Sequence, residues 1–454
     1  MNRVRVSHPD SLLHGTIRLP GSKSISNRAL ILRQVSNTPI ELHHLSTADD
    51  TVLMQQALQQ HGGTIHLKNA GTCMRFLTAY FAATENASVN LLCDERMEQR
   101  PIGELVDALL QLGADIQYLN KEGFPPLHIS GKKLKGGTIQ ISASASSQYV
   151  SALMMIAPLC EEGLTIQLTG TITSLPYIEM TARMMAEMGW HVNKIRNSKL
   201  EIRKKSQFSN PKSQISNLFI EPDWSAASYW YEMAALSKEC NILLEGLRLD
   251  SLQGDAVIAE HMKLFGVLTI QEENGIRLRK ESREEVRNSK LEIRNNPQFP
   301  NLKPEISILN SQFLNLNSSP DLAPTIAVTA AALNIPLTLT GLQNLVIKES
   351  NRLEALRAEL TKLGFDITIT DSELEVVKSQ WSAVRSPLLK SEIPNKSEIT
   401  NPKSQILTYG DHRMALAFAP LALVCESITI EQPEVVEKSY PHFWEDLQWV
   451  GFRL

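Results

Sequence analysis

A chain of 454 residues with 43% hydrophobic and 21% charged residues is too long for one hydrophobic core and too ordinary in composition for wholesale disorder, so two or three folded domains are expected. A formal charge of −4 gives no broad basic footprint, which argues against nucleic acid as the main partner and requires any anion site to be local. The five cysteines (Cys73, Cys93, Cys160, Cys240 and Cys425) form no C-x-x-C pair, so neither a disulfide framework nor a zinc knuckle is expected and a reducing cytoplasm fits best.

The amino terminus, MNRVRVSHPDSL, carries charges where a signal peptide needs an apolar core. No apolar run reaches the roughly 18 residues of a membrane span, so a soluble chain is expected. GSKSISNRALIL then follows a single strand around Gly15 to Leu19 and leads from a glycine loop into a helix. Lys23, Ser24, Ser26, Asn27 and Arg28 there add cationic and hydroxyl donors to free helix N–H groups, which is chemistry for phosphate or carboxylate. It is no Walker A loop: counted from Gly15, Pro20 falls where the second glycine belongs and Gly21 where the lysine belongs. A nucleotide hydrolase is disfavoured.

Further along, an amphipathic helical pattern ends five times at glycine before a short alternating stretch: QALQQHGGTIHL, LVDALLQLGADIQYL, ARMMAEMGWHVNKI, AEHMKLFGVLTIQ and LRAELTKLGFDITI. Glycine just past a helix is the expected cap. A polar or glycine-bearing loop then opens a second, apolar helix, at NAGTCMRFLTAYFA, SSQYVSALMMIAPL, DWSAASYWYEMAAL, DLAPTIAVTAAAL and DHRMALAFAPLAL. With GSKSISNR this makes six strand-to-helix junctions that begin with hydrogen-bonding or charged side chains. Each could serve as a helix cap alone, whereas together they could build an anion site.

Strands such as LTIQLTG, ILLEGL and LTLTGL follow the second helices, so each unit reads as strand, helix, strand, helix and two strands. Three units per domain give two α/β domains. Three stretches rich in Asn, Ser, Lys and Pro break the pattern, at 197–217, 282–315 and 385–404. RNSKLEIR recurs at 196–203 and 287–294, and NPKSQI at 210–215 and 401–406; these stretches are expected to be inserted surface loops.

PGSKSISNRALIL, NAGTCMRF, ERMEQRPI, SSQYVSAL, SLPYIEMT, IKESNRLEAL, TYGDHRMALAF and EKSYPHFWEDL, in that order, resemble the motifs of the 5-enolpyruvylshikimate-3-phosphate synthase family. The resemblance implies two similar domains of three βαβαββ units each, facing each other across a cleft. It places residues 1–20 with 222–454 in one domain and 21–221 in the other. It implies a monomer that needs no cofactor or metal and transfers the enolpyruvyl group of phosphoenolpyruvate to the 5-hydroxyl of shikimate 3-phosphate. Two anionic substrates explain local cations: a unit pair 4 Å apart is worth about 4 kcal/mol at an effective dielectric near 20.

Carried over residue by residue, Lys23 would contact both substrates. Gly71, Arg100, Gln148, Arg352, Arg413 and Lys438 would hold phosphoenolpyruvate, arginine being suited by its planar fork. Ser24, Arg28, Ser146, Ser147, Gln148, Ser174, Tyr177, Asn344 and Lys348 would hold shikimate 3-phosphate. Asp321 would take the hydroxyl proton and Glu349 would protonate the methylene carbon, with Lys23 sharing proton transfer. In KESNR, Lys348 and Arg352 are expected four apart on one helical face.

The sequence departs from the family at Leu175, Phe76 and Trp224. Phe76 stands where many members have proline, and its bulk is expected to press on Gly71. Two rivals stay open: the sister family acting on UDP-N-acetylglucosamine, and a silent anion-binding protein. The sister family carries a cysteine five residues before an Arg-Pro pair; here Glu95 has that place and Cys93 is offset by two.

Overall fold

The computed structural model describes residues 2–36, 39–142, 146–170, 174–193, 199–203, 216–280, 312–377 and 404–454. Of the expected insertions at 197–217, 282–315 and 385–404, only 199–203, 216–217, 312–315 and Ser404 fall within them. Two compact units are present, one of Met1–Leu19, Trp224–Ser251 and Asp255–Leu454, the other of Pro20–Asp223 and Leu252–Gly254. Each unit has its own apolar core, the first around Trp230, Ile326 and Phe418, the second around Leu30, Phe81 and Met154.

Local chemistry sets the helix ends. Gly113, Gly189, Gly266 and Gly364 follow their helices with φ between 76° and 94°. The residue after three of them bonds back to the helix, Ala114 to Leu109, Trp190 to Met185 and Phe365 to Leu360, each N–H to O at 3.0, 3.0 and 3.0 Å. This is the closure a left-handed glycine permits. The first of the five expected caps differs. The helix Asp49–Ala57 stops short of Gly62, which instead begins the strand Gly62–His66, because Gln59 and Gln60 close the last turn on Gln56 and Ala57.

Four four-stranded sheets share one connectivity. In one of them Gly62–His66 and Ser88–Leu92 run parallel on either side of the helix Gly71–Ala82, and Leu127–Ser130 and Asp115–Tyr118 add antiparallel. The remaining sheets are abbreviated. One has three strands and takes Arg3–Val6 from the amino terminus, and the other is a parallel pair of Asn217–Phe219 and Glu41–His43. Six repeats were expected, and six sheets are seen among the described residues, four of them four-stranded.

The two chain crossings pair with each other. Gly21 bridges to Pro222, Ser22 N–H donates to Glu221 O at 2.9 Å, and Asp223 N–H donates to Pro20 O at 2.9 Å. A Cβ at Gly21 would lie 1.8 Å from His44 O, so no other residue fits. Leu252–Gly254 also falls in the second unit, tied there by Leu252 N–H to Glu221 Oε1 at 3.1 Å and Gln253 Nε2 to Pro222 O at 2.7 Å. Among the described residues no helix is long and apolar enough to cross a membrane.

Lys199–Arg203 and Gln312–Asn315, expected in inserted loops, are sheet strands. In the first, Leu200 and Ile202 alternate into the core at 1% exposure each while pairing with Leu164–Thr169. Ile202→Ala should therefore cost about 2–5 kcal/mol in urea unfolding, while Glu201→Ala should stay within about 0.5 kcal/mol. Equal, small effects would return the segment to the surface.

Candidate functional site

In the first unit, three helix starts bring charged side chains into one cluster. Asp321 lies on the short 3-10 turn Pro320–Leu322 that leads into the helix Ala323–Ala332. Arg352 begins the helix Arg352–Lys362, and Asp411 caps His412–Phe418 by accepting from Arg413 N–H at 3.0 Å. The expected helical face for Lys348 and Arg352 is not formed. Asn351 accepts from Glu354 N–H at 3.4 Å and starts the helix only there, leaving Lys348 to Ser350 outside it.

Arg352 is the hub, with its side chain 1% exposed. Asp411 receives Nε at 2.9 Å and Nη2 at 3.2 Å in a two-pronged grip, and Ser350 Oγ donates to the same carboxylate at 3.1 Å. The rest of the guanidinium reaches Asp321 through Nη1 at 2.9 Å and Glu349 through Nη2 at 3.0 Å. Asp321 also faces Arg413 Nη2 at 3.2 Å and Lys348 Nζ at 3.5 Å, and Glu349 faces Lys438 Nζ at 3.2 Å. Four cations thus share three carboxylates, all but one of them residues that the motifs had marked.

Burial by itself would raise the Asp321 pKa, but Arg413, Lys348 and Arg352 outweigh it and hold the carboxyl well below the ordinary range. Burial would lower the Arg352 pKa, and Asp411, Asp321 and Glu349 reverse that and raise it. Asp321 is thus ionised and weakly basic while these cations are its partners. Arg413 Nη1 also donates to Asp321 O at 3.1 Å and lies 3.4 Å from the Tyr229 hydroxyl, a buried group that no motif had marked. Asn344 sits on the 3-10 turn Gln343–Ile347 leading to Lys348.

The second unit holds two neighbouring groups. Arg28, 2% exposed, donates to Thr181 Oγ1 at 2.7 Å, Ser24 O at 2.9 Å, Ser151 Oγ at 3.1 Å and Tyr177 O at 3.4 Å. Its charge lies between the rings of Phe76 and Tyr177, at 5.3 and 5.8 Å. Burial pulls its pKa down to about 10. All these partners are neutral, so the named bonds of this buried cation include no carboxylate.

The other group surrounds Gly71. A Cβ there would meet Arg100 Nη1 and Arg75 Nη1 at 2.8 Å each, so a side chain at this position would push both guanidiniums back from the backbone. The Phe76 ring centroid lies 5.3 Å from the Arg28 guanidinium carbon. Arg75, also unforeseen, donates to Gly71 O at 3.1 Å and Pro101 O at 3.0 Å. Gln148 Nε2 reaches Thr72 Oγ1 at 3.2 Å, and Ser146 Oγ caps the helix Ser147–Ile156 through Gln148 N–H at 3.2 Å. Lys23 Nζ lies 3.7 Å from Asp50, and its N–H donates to Asp223 Oδ2 at 2.9 Å. Ser174 precedes the helix Leu175–Glu187 with a left-handed φ of 53°.

A family profile described as EPSP synthase (3-phosphoshikimate 1-carboxyvinyltransferase) matches residues 8–67 and 61–447. A 3-phosphoshikimate 1-carboxyvinyltransferase of Bacteroides fragilis strain YCH46 is 41% identical over 451 residues, covering 99% of this chain and 98% of the relative. One of Haemophilus influenzae strain Rd is 31% identical over 468 residues, covering 97% of each. A solved EPSP synthase from Acinetobacter baumannii superposes with a TM-score of 0.69 at 19% identity, over 99% of both chains, which supports the fold.

The depressed Asp321 pKa fixes a sign. A carboxyl whose folded pKa lies below its unfolded value of about 3.9 stabilises the fold above that pH and loses the contribution as pH falls below it. Without ligand, Asp321→Asn should melt below the native protein at pH 7, and the gap should close progressively below about pH 4. A gap that is absent at pH 7 or widens in acid would contradict the pairing seen here.

Proposed function

The chain belongs to the EPSP synthase family and carries its activity, 3-phosphoshikimate 1-carboxyvinyl transfer in the shikimate pathway, and from this premise we propose how its residues divide the work. The observation that supports the division is the cluster in which four cations hold Asp321 and Glu349. Phosphoenolpyruvate is assigned to Arg352, Arg413 and Lys438 from the first unit and to Lys23, Gly71, Arg100 and Gln148 from the second. Shikimate 3-phosphate is assigned to Lys23, Ser24, Arg28, Ser146, Ser147, Gln148, Ser174, Tyr177, Asn344 and Lys348.

The substrates are anions and compete with the protein's own carboxylates for the same cations. When phosphate and carboxylate oxygens take Arg413, Lys348 and the outer edge of Arg352, Asp321 loses the partners that suppress its basicity, and its proton affinity rises. It then accepts the 5-hydroxyl proton as that oxygen bonds to C2 of phosphoenolpyruvate, while Glu349, which takes up a proton from solvent once Lys438 and the outer edge of Arg352 turn to the substrate, delivers that proton to C3. The tetrahedral adduct collapses by the reverse use of Glu349: it takes a proton from the C3 methyl group, the C2–O bond to phosphate breaks, and phosphate leaves toward Lys438 and the arginines. Asp411, two-pronged on Arg352 and fully buried, keeps the guanidinium in place throughout.

The acceptor of the sister family is disfavoured by Cys93. It is buried, and desolvation with Glu98 and Asp94 pushes its thiol up to about 12, while Glu95 stands at the sister family's cysteine position.

Phosphate release should require phosphoenolpyruvate and shikimate 3-phosphate together, and UDP-N-acetylglucosamine should not replace the latter. Glu349→Gln should retain both KM values within a few-fold and lower kcat by about 10²–10⁴-fold. Normal turnover by that variant would remove Glu349 from the chemistry, and binding without phosphate release in the native protein would leave a silent anion binder.

A further inference from the structure

The helix Arg352–Lys362 grips the segment before Asp411 at two points. Arg352 holds Asp411 itself. Seven residues on, which is about two turns and so nearly the same face, Glu359 is 1% exposed. Its Oε2 accepts from Leu407 N–H at 3.2 Å and its Oε1 from the Tyr409 hydroxyl at 2.9 Å, and Lys362 pairs with the same carboxylate.

Between these grips the backbone makes a turn that an ordinary side chain resists. Asp411 N–H closes on Thr408 O at 2.8 Å, and the two central residues, Tyr409 and Gly410, have φ of 55° and 67°. Such a turn suits glycine or asparagine at both places. Tyrosine is a poor choice for its backbone, and 44% of it is exposed, so burial of the ring is weak compensation. What the residue does supply is a hydroxyl that reaches Glu359. Burial, the hydrogen bond and the carboxylate charge push that phenol up to about 12, so it remains a donor across the working pH range.

We propose that Glu359 and Tyr409 are positioning residues for the transfer, forming a clamp that fixes the turn Thr408–Asp411 against the helix Arg352–Lys362 and so sets where Arg352 and Arg413 point. Asp411 is the direct link: it grips Arg352 and caps Arg413 N–H, so a turn that slips along the helix moves both guanidiniums together. The proposal rests on the reading that these two arginines hold phosphoenolpyruvate. Neither clamp residue touches substrate.

The test is steady-state kinetics of Tyr409→Phe, Glu359→Gln and Arg413→Lys, with melting curves alongside. Tyr409→Phe removes only the hydroxyl. It should raise KM for phosphoenolpyruvate about tenfold, the scale of one hydrogen bond to a charged acceptor, leave KM for shikimate 3-phosphate within about twofold, and melt close to the native protein. Glu359→Gln keeps an acceptor for Leu407 N–H and a polar group facing the phenol, so it should stay nearer the native KM than Tyr409→Phe. A purely structural role would instead lower kcat through loss of folded enzyme and leave both KM values alone, and that result overturns the clamp. So does an unchanged phosphoenolpyruvate KM in Tyr409→Phe when Arg413→Lys raises it. Should Arg413→Lys leave that KM unchanged too, the assignment of phosphoenolpyruvate to Arg413 falls and takes the clamp with it.

Discussion

The guanidinium of Arg352 cannot reach water, and most of what surrounds it follows from that. A buried cation is tolerable only when its charge is answered and its N–H groups are bonded. Asp411 answers it through Nε and Nη2, while Asp321 and Glu349 answer it from the remaining side. Because Lys348, Arg413 and Lys438 also face those two carboxylates, the ligand-free cluster is a set of ion pairs, which we propose an incoming dianion exchanges.

The fold delivers this cluster by repetition. A strand-to-helix junction leaves free N–H groups at the helix start, and in the first unit three such junctions supply Asp321, the Lys348–Arg352 segment and Asp411–Arg413. In the second unit the starts at Lys23, Gly71 and Ser147 carry Arg28, the bare backbone of Gly71 and Gln148. Helix ends favour anions nearby, but the side chains differ in kind. The first unit holds cations paired with acids, whereas Arg28 has only neutral partners among its named bonds.

What could be seen in the sequence was local. Glycine past a helix, serine or aspartate before one, and the ordered motifs all report on short segments; the motifs marked Asp321, Glu349, Arg352 and Arg413 one by one, and the structure brings their side chains together. Asp411 was in view within GDHRM, yet its grip on Arg352 spans 59 residues and no spacing rule announces it. Arg75 and Tyr229 were hidden because one lies a helical turn beyond Gly71 and the other inside an apolar helix, where packing is the ordinary explanation. The strand Lys199–Arg203 escaped because its Leu200 and Ile202 alternate with charged neighbours inside a repeated polar segment, so composition outweighed period. Tyr409 shows the converse: a residue that breaks a local rule, and whose reason lies in a distant partner.

A crystal structure with shikimate 3-phosphate and a non-reacting phosphoenolpyruvate analogue bound tests the exchange of ion pairs most directly. Arg413 and Lys348 should leave the Asp321 carboxylate for ligand oxygens, while Asp411 keeps its two bonds to Arg352. Ligand held elsewhere, with Asp321 still paired to both cations, would contradict it.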